Sequence, residues 1–331
     1  MTGTGKSRFN LAGLCFGLLA CVLAMHPAPA HAQAYPSKAI SLIVPFPPGG
    51  RTDLIGRIVA QNLQGTLNAT VVVVNKPGAS SVLGSQEVSR AQPDGHTLGF
   101  FSTSFVVAQY TVATPIVPKD YDLLAIVNVD PAAVAVNASA PWRSLKELVA
   151  HARANPGKLR IGMIPGASAQ IFAGALVNAA RIKVINVPFK GDADGAIALA
   201  GGHIDIHVAV PVAYQALIAA KKVRMLAIAA EERSALYGDL PTYRENGVDV
   251  VIGAFHGVYA PLGLPAQVRD TLVAALEKTM NAKGTVEQMS KAGAGILFRK
   301  GDAAKAFLAQ QDAAYRQIID ELGMRRGAPK K

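Results

Sequence analysis

From Ile40 onward, short apolar runs alternate with amphipathic stretches, and this alternation limits what the chain can fold into more than any other feature. Leu42–Val44 precedes the helically spaced Leu54, Ile55, Ile58, Val59 and Leu63; Val71–Val74 follows, then a Gly/Ser-rich loop and a second helical stretch to Ala91. Apolar residues three and four apart line one face of a helix, whereas a short continuous apolar run bounded by turn residues suits a strand. Val71-Val72-Val73-Val74 does not alternate with polar residues, so it fits a strand covered on both faces, as in parallel sheets flanked by helices. The expected class is α/β.

Poorly periodic sequence from Val127 to Trp142 interrupts the pattern, and a second alternating block begins at Leu145. It offers strands at Leu159–Met163, Val184–Val187, Ile204–Val210 and Met225–Ala229. Val248–Tyr259 is a second break, followed by a helical tail. At 331 residues about two domains are expected, since single cores stop growing near 250–300 residues. Both breaks fit one arrangement: residues 33–135 and 254–331 form one lobe, residues 136–253 are inserted as the other, and two chain crossings make a hinge.

The N-terminus reads as a secretion signal: Lys6 and Arg8, an apolar run from Leu11 to Met25, and Ala30-His31-Ala32 before Gln33. Residues 1–32 are the expected signal peptide, cleaved near Ala32 for export to an oxidising compartment. Leu18-Leu19-Ala20-Cys21 offers a lipoprotein alternative, weakened because Val22-Leu23-Ala24-Met25 continues the apolar run. Cleavage would remove both cysteines, Cys15 and Cys21, and would lower the formal net charge from +11 to +9. A basic exported chain suits small anions or anionic surfaces; nucleic acid is disfavoured, because no dense Lys/Arg cluster with interleaved aromatics occurs.

The loop Val44-Pro45-Phe46-Pro47-Pro48-Gly49-Gly50-Arg51-Thr52-Asp53 joins an apolar strand to an amphipathic helix. Free N–H groups and the dipole at a helix start favour an anion, and Arg51 adds a full charge. The competing reading is a structural turn in which Thr52 or Asp53 caps the helix. Asn75-Lys76-Pro77-Gly78-Ala79-Ser80-Ser81 repeats the arrangement after the second strand, and Ser102-Thr103-Ser104 follows the third. Ligands in open α/β sheets bind beyond the carboxyl ends of strands, so three such loops together carry more weight than one. The second block supplies Pro165-Gly166-Ala167-Ser168 and Phe189-Lys190-Gly191-Asp192. Lys190 alone is as readily a solvated lysine as an anion contact.

The pieces Val44-Pro45-Phe46-Pro47-Pro48-Gly49-Gly50, Thr52-Asp53, Val73-Val74-Asn75-Lys76-Pro77-Gly78-Ala79, Pro93-Asp94-Gly95-His96-Thr97-Leu98, Val187-Pro188-Phe189-Lys190-Gly191 and Gly201-Gly202-His203-Ile204-Asp205 together resemble the Bug-type, TctC-like substrate-binding proteins. Those are periplasmic receptors of tripartite tricarboxylate transporters, and the likeness runs over nearly the whole exported chain. It implies a two-lobed periplasmic-binding-protein (Venus-flytrap) fold, each lobe a mostly parallel sheet flanked by helices, closing on a small organic carboxylate. Carried over, the ligand-binding positions are Gly49, Gly50, Arg51, Thr52, Asp53, Gly78, Ala79, Ser80, Thr103 and Ser104 in the first lobe. Ser168, Lys190, Gly191 and Asp192 face them from the second. The implied partners are membrane transporter subunits or a sensor domain, the implied state a monomer.

This sequence departs from the family at informative places. Arg51 stands where a small residue is usual, Asp192 follows Lys190-Gly191 and would repel a second carboxylate unless the ligand brings a donor, and Phe255-His256 replaces a frequent tryptophan. No cofactor, metal site or catalytic residue is expected: no Gly-x-Ser-x-Gly elbow, His-Glu-x-x-His pair or cysteine nucleophile remains after cleavage. His203-Ile204-Asp205-Ile206-His207 reads as turn and strand rather than as zinc ligands. An orphan sensor that hands its closed form to a signalling partner is the alternative to transport, and a secreted hydrolase is a weaker one.

Overall fold

The computed structural model describes residues 2–3, 35–115, 117–165 and 168–327. The expected cleavage at Ala32, the lipid-attachment alternative at Cys21 and the turn residues Gly166 and Ala167 lie outside the described residues. In chain order the elements are β1 (Ile40–Val44), α1 (Arg51–Leu67), β2 (Val71–Asn75), α2 (Val82–Arg90), β3 (Thr97–Ser102), α3 (Thr103–Thr111), β4 (Tyr121–Pro131), β5 (Ala133–Asn137), α4 (Leu145–Ala154), β6 (Arg160–Met163) and α5 (Ser168–Ala180). Then follow β7 (Ile185–Pro188), α6 (Asp192–Ala200), β8 (Ile206–Ala209), α7 (Gln215–Ala219), β9 (Val223–Ile228), β10 (Gly253–Pro261), α8 (Ala266–Asn281), α9 (Lys283–Lys291), β11 (Ile296–Lys300) and α10 (Gly301–Glu321). Local chemistry sets several ends: Asn68 closes α1 in the left-handed conformation with its N–H on the Gln64 carbonyl, and Ser144 caps α4 by accepting from the Glu147 N–H.

Two mixed sheets with flanking helices make a two-lobed fold. The first sheet has the order β11-β4-β10-β3-β1-β2 and the second β7-β6-β8-β5-β9. The expected parallel pairing holds for β1–β3 and for β6–β8; β10, β11, β5 and β9 run antiparallel to their neighbours. Leu42, Val44, Leu98 and Phe100 are fully buried in the first sheet, as are Val134, Ile161, Ile206 and Val208 in the second, which accounts for the continuous apolar runs.

The stretch Val127–Trp142, read from sequence as irregular, holds the end of β4 and all of β5. Only Ala132 separates these strands, and they belong to different sheets. The chain returns between β9 and β10. At the passage Ala132 N–H donates to the Ile252 carbonyl (2.9 Å), Ile252 N–H to Ala229 (3.0 Å) and Ala229 N–H to Ala132 (2.7 Å). Gly253 stands beside Pro131 in the register, where a Cβ would meet the Asp130 carbonyl oxygen at 2.3 Å; only glycine lets the two passing strands approach this closely.

The last helix adds a tie the sequence did not announce. Tyr315 of α10 donates its hydroxyl proton to the Gly253 carbonyl, while the end of α10 reaches α5 of the second lobe through Glu321 and Asn178 (2.7 Å). Leu322 packs so closely on Gly174 that a Cβ there would lie 2.6 Å from it. The buried core is therefore continuous from Phe255 and Tyr315 to Ile171 and Leu176. The tail is not purely helical, since β11 interrupts it and pairs with β4.

The registers fix where the strand ends point. Ala133, the first residue of β5, lies beside Ala209, the last of β8, so the carboxyl ends of the parallel strands β6–β8 sit at the passage. In the first sheet Ser102 at the end of β3 lies beside His256, near the start of β10. The loops after β1, β2 and β3 thus face those after β6, β7 and β8 across one cleft.

Candidate carboxylate site

At the first-lobe side, β1 delivers the chain through Pro45–Gly50 to α1. Gly49 takes a positive φ of 84°, and Gly50 is an N-cap without a side-chain bond. Asp53 Oδ2 accepts from the Gly49 N–H (2.9 Å) and from Arg57 Nε (2.9 Å), while Oδ1 accepts from Asn75 Nδ2 (2.8 Å). Burial pushes this carboxyl up, but the bonds from Arg57, Asn75 and Gly49 hold it below the usual range. Asp53 therefore folds the loop back on itself. The first-turn N–H groups of Arg51, Thr52 and Asp53 keep no side-chain cap, which is the arrangement that attracts an anion.

The other predicted side chains are largely engaged within the protein. Thr103, buried, accepts from the Phe255 N–H (2.9 Å). Ser104 N–H donates to Ser102 Oγ (3.3 Å), a cap for α3. Arg51 Nε and Nη2 donate to Asp130 Oδ2 (2.9 and 2.6 Å), Nη1 donates to the Ala292 carbonyl (3.1 Å) and Nη2 to that of Gly293 (3.0 Å). Four of the five guanidinium N–H groups are thus committed, and the charge is matched by Asp130, whose side chain is fully buried.

Asp130 leads into a polar chain that returns to α1. Its Oδ1 accepts from the Gly295 N–H (3.0 Å) and from Asn128 Nδ2 (3.3 Å), which also donates to the Gly295 carbonyl. These acceptors orient the Asn128 amide, leaving its oxygen to face His256 Nδ1 at 2.6 Å. The proton is thereby assigned to Nδ1, and Nε2 accepts from the Thr52 hydroxyl at 3.2 Å. Burial and the nearby Arg51 charge push the His256 pKa down to about 3. Thr52 is held from behind by a neutral imidazole stacked on Phe100.

The loop after β2 is bent hard. Ala79, Ser80 and Ser81 have φ of 46°, 52° and 81°, a left-handed run that costs L-residues about 1 kcal/mol or more each. Such strain concentrates at ligand loops. The Ala79–Ser81 turn packs against α3, and Asn75 Nδ2 also donates to the Phe46 carbonyl (3.0 Å), so the three loops form one edge. Ser81, which the sequence reading passed over, buries its hydroxyl there without a partner.

Across the cleft, Ser168 begins α5, and Lys190 and Gly191 lead into α6, which Asp192 opens with Gly191 as an uncapped N-cap. Lys190 is exposed. Two further residues approach from this side. Gln215 of α7 lies over the turn that Arg51 clasps, its Nε2 2.5 Å from where a Gly293 Cβ would be. Tyr237, its hydroxyl buried and unpartnered, feels the charges of Asp130 and Arg51. Asn128 and Asp130 had a legible signal: two polar residues two positions apart in the apolar run Leu123–Val136 share a sheet face. Nothing local pointed to Gln215 or Tyr237.

A cavity of about 1220 Å³ lies away from these loops, between β4, α3, α8 and α10. Part of its charged lining is paired, Arg269 with Asp122 (3.0 Å) and Lys300 with Glu277 (2.6 Å), while Asp312 accepts from Gln109 and Tyr110. Among the described residues no group of three or more His, Cys, Asp or Glu is placed to hold a metal ion.

The family model described as the tripartite tricarboxylate transporter family receptor, TctC, matches residues 55–324. The chain belongs to this family. A UPF0065 protein of Cupriavidus necator is 31% identical over 95% of this chain and 96% of its own length. A TctC solute-binding protein from Polaromonas, solved without ligand, superposes with a TM-score of 0.80 at 31% identity, covering 87% of this chain and 99% of that one. The periplasmic binding protein BugD gives 0.69 at 28% identity over 88% and 99%. Two Rhodopseudomonas palustris proteins share the fold. One was solved with adipate (TM-score 0.72, 22% identity, 87% of this chain and 98% of that one). The other, MatC, was solved with malate (0.68, 23%, 86% and 100%).

Proposed function

We propose that the chain is an exported solute receptor that binds a small organic carboxylate between its lobes and presents the closed form to the membrane subunits of a tripartite tricarboxylate-type transporter, acting as a monomer in the periplasm. The observation that carries this reading is the start of α1, where Gly50 supplies no side-chain cap and the first-turn N–H groups of Arg51, Thr52 and Asp53 suit an anion. The polar side chains around them brace the loop from behind. An anion held there by backbone dipoles gains no covalent chemistry from its surroundings, which suits a receptor. The lobes carry loops on both sides of the cleft, so a ligand that touches both stabilises the closed form and shifts the open–closed equilibrium. The strained Ala79–Ser81 turn supports the reading, because backbone strain of this kind clusters at ligand loops.

A thermal-shift screen of the chain from Gln33, denatured and refolded to strip bound ligand, tests this. At a hundredfold excess over Kd a ligand of the native state adds ~2.7 kcal/mol, so a small organic carboxylate that fits the site should raise Tm by several degrees, and the corresponding amide should not. Equal shifts for acid and amide would remove the anion from the account.

A further inference from the structure

The second-lobe side of the cleft carries a carboxylate that the protein leaves without a counterpart. Asp53 and Asp130 accept three and four hydrogen bonds respectively. Asp192 is different: its Oδ1 is buried and has no partner. The residue sits at the first position of α6, at the carboxyl end of β7, where the registers aim the loops at the first lobe.

No neighbouring group donates to this Oδ1. Asp192 and Gly195, three apart, share one face of α6, and Gly195 lies on the His207 ring, where a Cβ would come within 2.4 Å of Nε2. His207 and Tyr214 are fully buried. Tyr214 lies close enough to feel the Asp192 charge, but its hydroxyl pairs with His207 Nδ1 at 3.0 Å. The buried Tyr243 hydroxyl and His207 Nε2 also lack partners, so the neighbourhood is polar and unsatisfied beyond the one carboxylate. Burial raises the Asp192 carboxyl above its ordinary range. A buried acceptor without a donor costs more than a paired one gains, and a donor entering the cleft would supply the missing bond.

We propose that the cleft selects carboxylates that also carry an ammonium group, the carboxylate held at the start of α1 and the ammonium paired with Asp192. This rests on the receptor reading above and narrows it: a plain dicarboxylate would set its second charge against Asp192, whereas a zwitterion meets complementary charge on both lobes.

Isothermal titration of the refolded chain from Gln33 with matched pairs that differ by one ammonium, glutamate against glutarate and 5-aminovalerate against valerate, tests the inference. The wild-type chain is expected to prefer the amino member of at least one pair tenfold or more. Asp192→Asn should shrink that ratio to threefold or less, chiefly by weakening the amino member, and Asp192→Ser should do the same should the amide variant fold poorly. Equal or tighter binding of the deaminated acids by the wild type, or a preference that survives both variants, overturns the ammonium subsite and leaves the receptor reading intact. Silence toward every member and toward the whole carboxylate panel, in protein that melts cooperatively, overturns the receptor reading itself.

Discussion

Arg51→Met is expected to destabilise the protein by about 3–5 kcal/mol, the cost of leaving one member of a buried ion pair behind. Asp130 is fully buried, and the Arg51 side chain is only 19% exposed. Removing the guanidinium strips two hydrogen bonds from Asp130 Oδ2 and one each from the carbonyls of Ala292 and Gly293. Arg51→Lys keeps the charge but cannot reproduce the fork, so it should recover only part of the loss. The double variant Arg51→Met/Asp130→Asn leaves no buried charge and should cost clearly less than the two single changes added together. Urea midpoints of the wild type, Arg51→Met, Arg51→Lys, Asp130→Asn and the double variant measure this. A loss below ~1 kcal/mol for Arg51→Met would place the pair with exposed salt bridges and remove the clasp from the account of the site.

The second large effect is loss of stability in mild acid. His256 and His207 are buried and neutral, with pKa values lowered by burial to about 3 and about 4, while unfolded histidine titrates near 6.5. Between those values the unfolded chain binds more protons than the folded one, so stability falls as pH drops. Each histidine's contribution is intact above pH ~6.5 and is reduced by about 2 kcal/mol at pH 5. Asp192, whose carboxyl is raised by burial, acts in the opposite direction. The carboxylates held low by partners, Asp53, Asp205 and Glu245, lose their contributions only further down, as pH falls through and below ~4. Urea titrations at pH 7.5, 6 and 5 should show a steady loss in a window where the carboxylates held low by partners are silent. His256→Asn should flatten the slope by about half; a wild-type midpoint unchanged from pH 7.5 to 5 would contradict the neutral, buried assignment.

How far the sequence could be read follows from the range of the interactions. The strand-loop-helix units were legible because their signals are local: Gly49-Gly50 and Pro77-Gly78 punctuate apolar runs, and Ser144 with Glu147 marks a helix start. The passage at Ala132 was blurred because Pro131 and Asn137 lower strand propensity, although Val134 and Val136 are fully buried; pairing on both sides with β8 and β9 outweighs the weak local preference. β11 was invisible, for Ile296–Lys300 has no strand-like alternation and is a strand only because β4 offers an edge.

The site divides in the same way. Its backbone, from Gly49 to Asp53, could be located because the helix start is a local event. The commitment of Arg51 could not, since its partners lie 79, 241 and 242 positions away. An arginine at a helix start reads as an anion contact until the acceptors that occupy it are seen. The bond that the Thr103 oxygen accepts from the Phe255 N–H, 152 positions away, is equally beyond local signals.

The central claim is that backbone N–H groups at the start of α1 hold the ligand carboxylate. Backbone amide NMR of the 15N-labelled, ligand-stripped chain, titrated with whichever carboxylate gives the largest thermal shift, tests it directly. The largest downfield amide shifts are expected at Arg51, Thr52 and Asp53, with smaller ones at Ser80 and Ser81. Saturable shifts centred instead on Tyr121–Leu124, Val273 and Leu308, around the cavity between β4, α8 and α10, with the α1 amides unmoved, would contradict it.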